Sequence, residues 1–286
     1  MRNSLLLLLA VLLVGGLPTL SAQELELGIK AGGALYSGDL SPREFSINPD
    51  DVNFAGGAYL RYRPSTRLGI RVNGNFGMIS AERSDLTAPN EDGVQTPISR
   101  NFRSKIAEFN AVLEYDLFYL GDPASNFLAG YVYGGAGVLS FNPESTLDGV
   151  EYFELQPLRT QAQGAGPQYD ATPYELTRVV GILGGGIRVR FAERFVIGLE
   201  VGGRITGTDY LDDITDQPVN YLDVLGQENG GLAARFSNPA VQDLAEVGDL
   251  TYRRGGDAKD YYFVGGLTFG ITLGEGGNKK TGCYTF

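Results

Sequence analysis

The chain has 286 residues, and its 23 Lys and Arg against 34 Asp and Glu give a formal net charge of −11 at pH 7. This acidic balance disfavours nucleic-acid binding, because proteins that bind the phosphate backbone present basic surfaces. The sequence has no His and a single Cys, which excludes a Ser-His-Asp triad, a His-ligated metal site and an internal disulfide.

The first 22 residues are typical of an export signal. Arg2 supplies a positive charge, residues 5–14 form an apolar run, and the small residues Ser21 and Ala22 precede the predicted cleavage site. The apolar run is shorter than the roughly 20 residues of a spanning helix; a retained interfacial anchor is the alternative. We therefore predict a signal peptide at 1–22, a barrel domain at 23–274 and a short tail at 275–286.

The segment after the signal alternates apolar and polar residues in eight stretches, each of which predicts a β-strand. The predicted strands cover residues 24–36, 53–63, 67–81, 105–118, 127–141, 176–191, 195–206 and 259–273. The second and third form the clearest hairpin, since the turn residues Pro64, Ser65 and Thr66 join them.

The connections between these strands are alternately long and short. Short ones follow the second, fourth and sixth strands, and long ones cover residues 37–52, 82–104, 142–175 and 207–258. This pattern predicts an all-β fold, an eight-stranded antiparallel transmembrane β-barrel with short periplasmic turns and long outward loops. A soluble barrel or sandwich is the alternative. Long strands and apolar rows nearly free of charge favour the membrane version.

The opposite face of the strands carries the charged residues, which we expect inside the barrel. An eight-stranded barrel is just wide enough to be filled by side chains, and a buried charge must be paired. We therefore predict an ionic plug rather than a channel. The predicted plug consists of Glu24, Glu26, Arg61, Arg63, Arg67, Arg71, Glu114, Asp116, Arg188, Arg190, Glu200 and Arg204. Aromatic girdles at the membrane surfaces are predicted from Tyr36, Tyr62, Tyr115, Tyr119, Phe141 and Phe191.

Two further patterns have a chemical interpretation that we do not favour. The acidic residues Asp209, Asp212, Asp213 and Asp216 could supply oxygen ligands to Ca²⁺, but they lack the spacing of an EF-hand loop. Residues 184–186 are three glycines like those of a phosphate-binding loop, but no helix follows them. We predict no catalytic residue, no cofactor and no metal.

Five groups of residues, mostly in the predicted outward loops, occur in a distinctive order. They are Tyr36-Ser37-Gly38-Asp39-Leu40, Phe141-Asn142-Pro143, Leu155-Gln156-Pro157-Leu158-Arg159-Thr160 with Gln163-Gly164, Thr208-Asp209-Tyr210-Leu211-Asp212-Asp213, and Arg254-Gly255 with Asp260-Tyr261-Tyr262. In their order and spacing they resemble the PorG-like outer-membrane proteins of the Bacteroidetes type IX secretion system. The resemblance spans nearly the whole chain after the signal, including a tail with Cys283 and Phe286.

The resemblance implies a non-enzymatic barrel that associates with a periplasmic ring formed by a PorK-like lipoprotein and a PorN-like protein. We accordingly expect a barrel surrounded by outer-membrane lipid, with both termini in the periplasm, that anchors the ring through its periplasmic turns. Two alternatives remain open. One is a surface adhesin or ligand-binding barrel that acts through the long loops, and the other is a small porin or transporter with an open lumen. We expect Cys283 to be a free thiol.

Overall fold

The computed structural model describes residues 24–41, 51–244, 246–256 and 259–273. The predicted signal peptide and the predicted tail, with Cys283, lie outside these residues. Within the described part of the chain, no helix combines the length and the apolar character needed to cross a bilayer.

Eight antiparallel strands, labelled β1 to β8, form a closed ring. They are β1 Glu24–Ser37, β2 Asn53–Arg63, β3 Leu68–Pro89, β4 Gln95–Gly121, β5 Phe127–Ser145, β6 Thr177–Phe191, β7 Phe195–Ile205 and β8 Tyr261–Leu273. Each strand pairs with its neighbours in the sequence, and β1 pairs with β8, so the sheet closes on itself. The predicted fold class, an eight-stranded antiparallel transmembrane barrel, is confirmed.

The pairing register places apolar and charged residues on opposite faces of the wall. Leu27 of β1 lies opposite Leu60 of β2, and the next inward pair is Glu26 with Arg61. On β4, Leu113 is 66% exposed on the outside whereas Glu114 beside it is 1% exposed inside the barrel. This distribution is the reverse of a water-soluble protein, and it suits a wall with acyl chains outside.

The predicted long connection at residues 82–104 is wrong. Strand β3 continues to Pro89 and β4 begins at Gln95, so only residues 90–94 join them. The pairing continues past an irregularity between Arg83 and Leu86. The hairpin therefore extends beyond the level at which the other strands end. There its outward face meets water, and it no longer needs the apolar row that marks a strand in lipid.

The short connections at residues 64–67, 122–126 and 192–194 define what we call the short-turn end of the barrel, and the opposite end is the long-loop end. Two long connections, loop 3 (residues 146–176) and loop 4 (residues 206–260), fold together at the long-loop end. They contain the 3-10 turn Gln156–Leu158, the helices α1 Tyr221–Leu225 and α2 Gly230–Ser237, and a ribbon that pairs Pro218–Asn220 with Thr251–Arg253.

Loops 3 and 4 share a hydrophobic core that is separate from the barrel. Its buried residues include Leu155, Leu158, Tyr169, Val219, Tyr221, Val224, Ala233, Phe236 and Tyr252. We call this unit the lid. Because it has its own core, it is a packed structure and not a set of independent loops.

Glycines in the barrel wall make room for tyrosines that point inward. A Cβ atom on Gly28 would lie 2.3 Å from the Tyr59 ring, and one on Gly184 would lie 2.4 Å from the Tyr133 ring. Residues 184–186 lie inside β6, where the missing side chains let bulky rings fit inside a narrow barrel.

Candidate functional site: the filled barrel and its lid

An ionic network centred on Glu114 fills the barrel near the short-turn end. The Glu114 carboxylate lies 2.8 Å from Nε of Arg61, 2.8 Å from Nε of Arg71 and 2.9 Å from Nη1 of Arg188. These arginines come from β2, β3 and β6, so one carboxylate of β4 ties together four strands. A single negative charge cannot balance three guanidinium groups, and further acids are needed.

Other inward acids complete the balance. Arg61 lies 2.5 Å from Glu26, and Arg71 lies 2.6 Å from Glu200. Asp116 lies 2.5 Å from Arg188 and 2.9 Å from Arg63. Ion pairs join six cations (Lys30, Arg61, Arg63, Arg71, Arg188, Arg190) and five anions (Glu24, Glu26, Glu114, Asp116, Glu200). Hydrogen bonds connect the Arg204–Glu108 pair to this network, because Glu108 accepts from Asn110, Asn110 accepts from Asn73 and Asn73 accepts from Lys30. Near neutrality is what a desolvated set of charges requires.

Tyrosines seal the space between the charged groups. The Tyr59 hydroxyl donates to Glu26 at 2.7 Å, and the Tyr131 hydroxyl donates to Glu200 at 2.8 Å. The guanidinium of Arg188 lies 4.6 Å from the centre of the Tyr131 ring, within the range of a cation–π contact. Closer to the long-loop end, the Tyr262 hydroxyl donates to Glu108, which also accepts from Arg204.

Eleven of the twelve residues predicted for the plug lie in this network, and Arg67 does not. Arg67 is exposed, and its Nη1 donates to the carbonyl oxygen of Leu117 at 3.4 Å. Because β3 begins at Leu68, Arg67 belongs to a turn, where strand alternation does not apply. Lys30 and Glu108 are in the network although they were not in the predicted set. Both lie on the inward rows of their strands, so the alternation of apolar and polar residues could have identified them as members of the network.

The predicted aromatic girdle is wrong at three positions. Tyr36 and Phe141 are 1% and 2% exposed and lie inside the barrel, not on its outer surface. Tyr36 packs edge-on against Phe102 with ring centres 4.7 Å apart. Tyr119 also turns toward the inside, where its hydroxyl contacts Asp116 and Arg63 at the short-turn end. Tyr115 and Phe191 are exposed on the outer face, as a girdle requires.

The residues of the distinctive motifs meet where the lid covers the barrel. The Tyr36 hydroxyl lies 2.7 Å from Oδ2 of Asp212 and 2.7 Å from Oδ1 of Asp260. Asp213 accepts from the Tyr174 hydroxyl at 2.9 Å and lies 3.1 Å from Nη1 of Arg254. These contacts join β1, both lid loops and the start of β8.

The remaining motif residues surround this point and stabilise the lid loops. Asp39 accepts a hydrogen bond from the Gly256 amide, and the carbonyl oxygens of Gly38 and Pro143 accept from the amides of Ser41 and Leu155. Asp170 accepts from the Gly164 amide and from the Tyr210 hydroxyl. Gln156 donates to the Tyr174 carbonyl oxygen, the Asn142 amide donates to Ser104, and Asp209 forms an ion pair with Lys259. Leu158 lies in the lid core, Leu211 in the core beneath the lid, and Pro157 in the 3-10 turn. The motifs are therefore a loop-packing framework in this structure.

Burial dominates the electrostatics of the acids beneath the lid. It raises the pKa of Asp260 to about 8 and that of Asp39 to about 6. Burial and the neighbouring Asp260 charge raise the pKa of Asp212 well above its usual range. Burial also raises the pKa of Asp213, against the opposing effect of Arg254. In the part of the chain that is described, no set of three or more acidic, His or Cys side chains is placed to hold a metal ion.

The extended β3–β4 hairpin holds the lid over the barrel. Arg100 of β4 donates to the carbonyl oxygens of Arg254 and Ser237, both at 2.9 Å. Asn238 donates to the carbonyl oxygen of Pro89 at 2.8 Å. The interior is thus filled by charges toward one end and covered by a packed lid at the other.

Comparison with known proteins gives one family and several structural neighbours. The model of a family described as "Domain of unknown function (DUF6089)" matches residues 4–229. No curated protein matches the chain.

Among solved structures, the chain is similar to the attachment invasion locus protein Ail of Yersinia pestis in complex with the heparin analogue sucrose octasulfate. The identity is 10% and the TM-score 0.36, over 88% of this chain and 99% of that chain. It is also similar to the N-terminal β-barrel domain of Pseudomonas aeruginosa OprF, with 12% identity and a TM-score of 0.32 over 88% of this chain and 100% of that chain.

Proposed function

The chain belongs to the family described as a domain of unknown function (DUF6089), and we propose that it is a non-enzymatic, non-conducting outer-membrane barrel that anchors the periplasmic ring of a type IX-like secretion machine. The observation that carries this proposal is the filled lumen, in which charges from six of the eight strands (β1 to β4, β6 and β7) pair across the barrel. A barrel that is filled and covered gives a solute no path. Its lipid-embedded wall and its two ends remain available for contacts with other proteins.

The outer membrane is the location that fits these features together. The first 22 residues are typical of an export signal, and a closed sheet with an apolar exterior suits outer-membrane lipid. Strand β1 starts and β8 ends at the short-turn end. The proposal therefore places both of those strand ends, together with the chain termini, on the periplasmic side.

The rim at the short-turn end is the proposed contact with the ring. Its turns are short and tied to one another, since the Glu193 amide donates to Oδ1 of Asn126 at 3.3 Å. Ala192 and Glu193 both have positive φ angles, 49° and 61°, as expected in a tight two-strand connection. A short, tied rim presents a fixed surface, and fixed surfaces lose less entropy on binding. The PorK-like lipoprotein and the PorN-like protein are proposed as partners from the sequence resemblance.

Site-specific photo-crosslinking in cells tests the proposal. Crosslinkers at Ser65, Ala124 and Glu193, one in each short turn, are expected to capture a PorK-like or PorN-like protein. The matched controls are Gly93 and Val150 at the long-loop end, where Val150 is 83% exposed. Capture of a ring protein from the control positions alone would contradict the proposed orientation and contact.

A surface-binding function is the second candidate, because the lid has a packed core and displays apolar residues. Leu147 and Val150 are exposed in loop 3 beside Tyr152, over which the Arg103 guanidinium is stacked. Exposed apolar residues on a packed support are a common feature of binding surfaces. If this candidate is correct, deletion of residues 147–151 abolishes surface binding and leaves secretion intact. Loss of secretion with binding retained would reject it.

A further inference from the structure

The Tyr36 hydroxyl makes two short contacts that a single proton cannot satisfy. Its oxygen lies 2.7 Å from Asp212 and 2.7 Å from Asp260, both typical O–H···O distances. A phenol carries one O–H proton, and an ionised carboxylate only accepts. Tyr36 can therefore donate to one of the two acids. The second contact requires a proton on a carboxyl group.

The other carboxylate oxygens of the pair are already occupied. Oδ1 of Asp212 accepts from the Ile214 amide at 2.9 Å, and Oδ2 of Asp260 accepts from the Leu211 amide at 2.8 Å. Tyr36, Asp212 and Asp260 are each no more than 2% exposed. The extra proton thus lies between the acids and the phenol, where water does not compete for it.

The surrounding charges do not replace that proton. The charged groups that face the pair are Asp39 after β1, Arg100 of β4, Asp209, Asp213 and Arg254 of loop 4, and Lys259 before β8. Arg254 pairs with Asp213 and Lys259 pairs with Asp209, whereas Arg100 donates to backbone carbonyls. Asp39 and Asp209 add negative charge. A second ionised carboxyl would therefore be buried beside like charges.

We propose that Tyr36, Asp212 and Asp260 form a proton-dependent latch that fastens loop 4 to the barrel wall and keeps the lid closed. Tyr36 stands at the end of β1 and Asp260 directly before β8, so both are fixed to the wall. Asp212 belongs to loop 4, between the wall and the lid core. Loss of the shared proton leaves two buried anions that compete for the single phenol proton of Tyr36, and the segment from Leu211 to Ile214 separates from the wall.

The direction of the pH dependence follows from the raised pKa values. The pKa of Asp260 is raised from 3.8 to about 8, and that of Asp212 is also raised. The closed lid therefore binds more protons than the open lid between these pH values. A group with a raised pKa stabilises the closed form most at low pH, and this stabilisation is lost as the pH rises to about 8.

Hydrogen exchange of the full-length protein in detergent micelles tests the latch. The reporters are the amides of Leu211 and Ile214, which bond to the two acids. After correction for intrinsic exchange, their protection is expected to fall by up to about tenfold per pH unit between pH 5 and 8. Protection that stays constant over this range overturns the proposal.

The variants Asp212→Asn and Asp260→Asn replace an acid by an amide that carries its donor at every pH. Each is expected to give protection independent of pH. The matched control is Asp249→Asn, an acid elsewhere in the lid that accepts from Asn220, and it should keep the wild-type slope. A wild-type slope in both test variants overturns the latch.

A spectroscopic measurement on the unmodified chain keeps the proposal testable if the variants do not fold. With ¹³C-labelled aspartate carboxyls, the infrared carbonyl band of a protonated Asp is expected at pH 7 and should disappear above pH 9. A spectrum with only ionised aspartate at pH 7 overturns the shared proton.

Discussion

Glu114 is the single residue on which most of the charge balance inside the barrel depends. It lies against Arg61, Arg71 and Arg188, all of which are buried. We expect Glu114→Gln to lower the free energy of unfolding by about 3–5 kcal/mol, because the change removes the one carboxylate shared by three buried guanidinium groups and increases the excess of buried positive charge. Denaturant unfolding in detergent micelles, followed by circular dichroism, measures the difference.

The control for this prediction is Glu151→Gln in loop 3, where the side chain is exposed. This change should alter the free energy of unfolding by no more than about 0.5 kcal/mol. A loss below about 1 kcal/mol for Glu114→Gln would show that the remaining acids Glu26, Glu200 and Asp116 are sufficient to balance the three arginines.

Single residues also show where alternation is a reliable guide and where it is not. In β1 the inward row runs through Glu26 and Lys30 to Tyr36, so strict alternation places Tyr36 inside the barrel. The girdle prediction for Tyr36 ignored its row. The same rule, applied to Arg67, gave the wrong answer because that residue precedes the strand. The latch formed by Asp212 and Asp260 was not predictable, since these acids lie 48 positions apart in the sequence and only the folded lid brings them together.

Strand bounds were predicted accurately where the outer face of the strand is apolar, and less accurately where it is polar. Strand β2 has the predicted bounds, because it alternates apolar and polar residues and Pro64 directly follows it. Strands β3 and β4 are longer than predicted because their extension has an outward face in water. A strand in water needs no apolar outward row, so its sequence resembles that of a polar loop.

The pairing of β1 with β8 depends on glycine at a position where the two strands approach closely. A Cβ atom on Gly32 would lie 2.1 Å from the carbonyl oxygen of Gly265, whereas one on Gly74 of β3 would meet nothing within 4 Å. We therefore expect Gly32→Ala to destabilise the barrel by about 1–3 kcal/mol and Gly74→Ala to be tolerated. The unfolding midpoint in urea and the mobility shift on unheated gels measure both. Equal effects would contradict the close approach.

The lid core predicts that the lid unfolds separately from the barrel. Phe236 is buried in that core and lies against Phe153. We expect Phe236→Ala to destabilise the lid by about 3–5 kcal/mol, so that protease cleaves loops 3 and 4 while the barrel keeps its resistance to detergent. Leu222→Ala, at a position 42% exposed, is the control and should leave the lid resistant. Simultaneous loss of lid and barrel would show that the two unfold together.

For the whole molecule, the sequence predicted the closed barrel but not the lid. Eight strands repeat one alternation, and each repeat supports the same fold. The lid is built from a five-residue helix, an eight-residue helix and a three-residue ribbon. Elements this short carry little periodic signal, and their stability comes from contacts between loops 3 and 4. Such contacts are distant in sequence and are set by the fold.

The ionic network and the lid both block the barrel, and together they predict how the whole protein behaves in a bilayer. We expect no steady channel current from the wild-type protein, because the ionic network fills the barrel. Replacement of residues 213–253 by a short Gly-Ser linker removes most of the lid and leaves the pairs of Glu114, Asp116 and Glu200 untouched. This variant should also fail to conduct in planar-bilayer recordings, with an open porin in the same bilayer as the positive control. Steady current from the variant alone would mean that the lid is the true closure and that the charged interior admits ions.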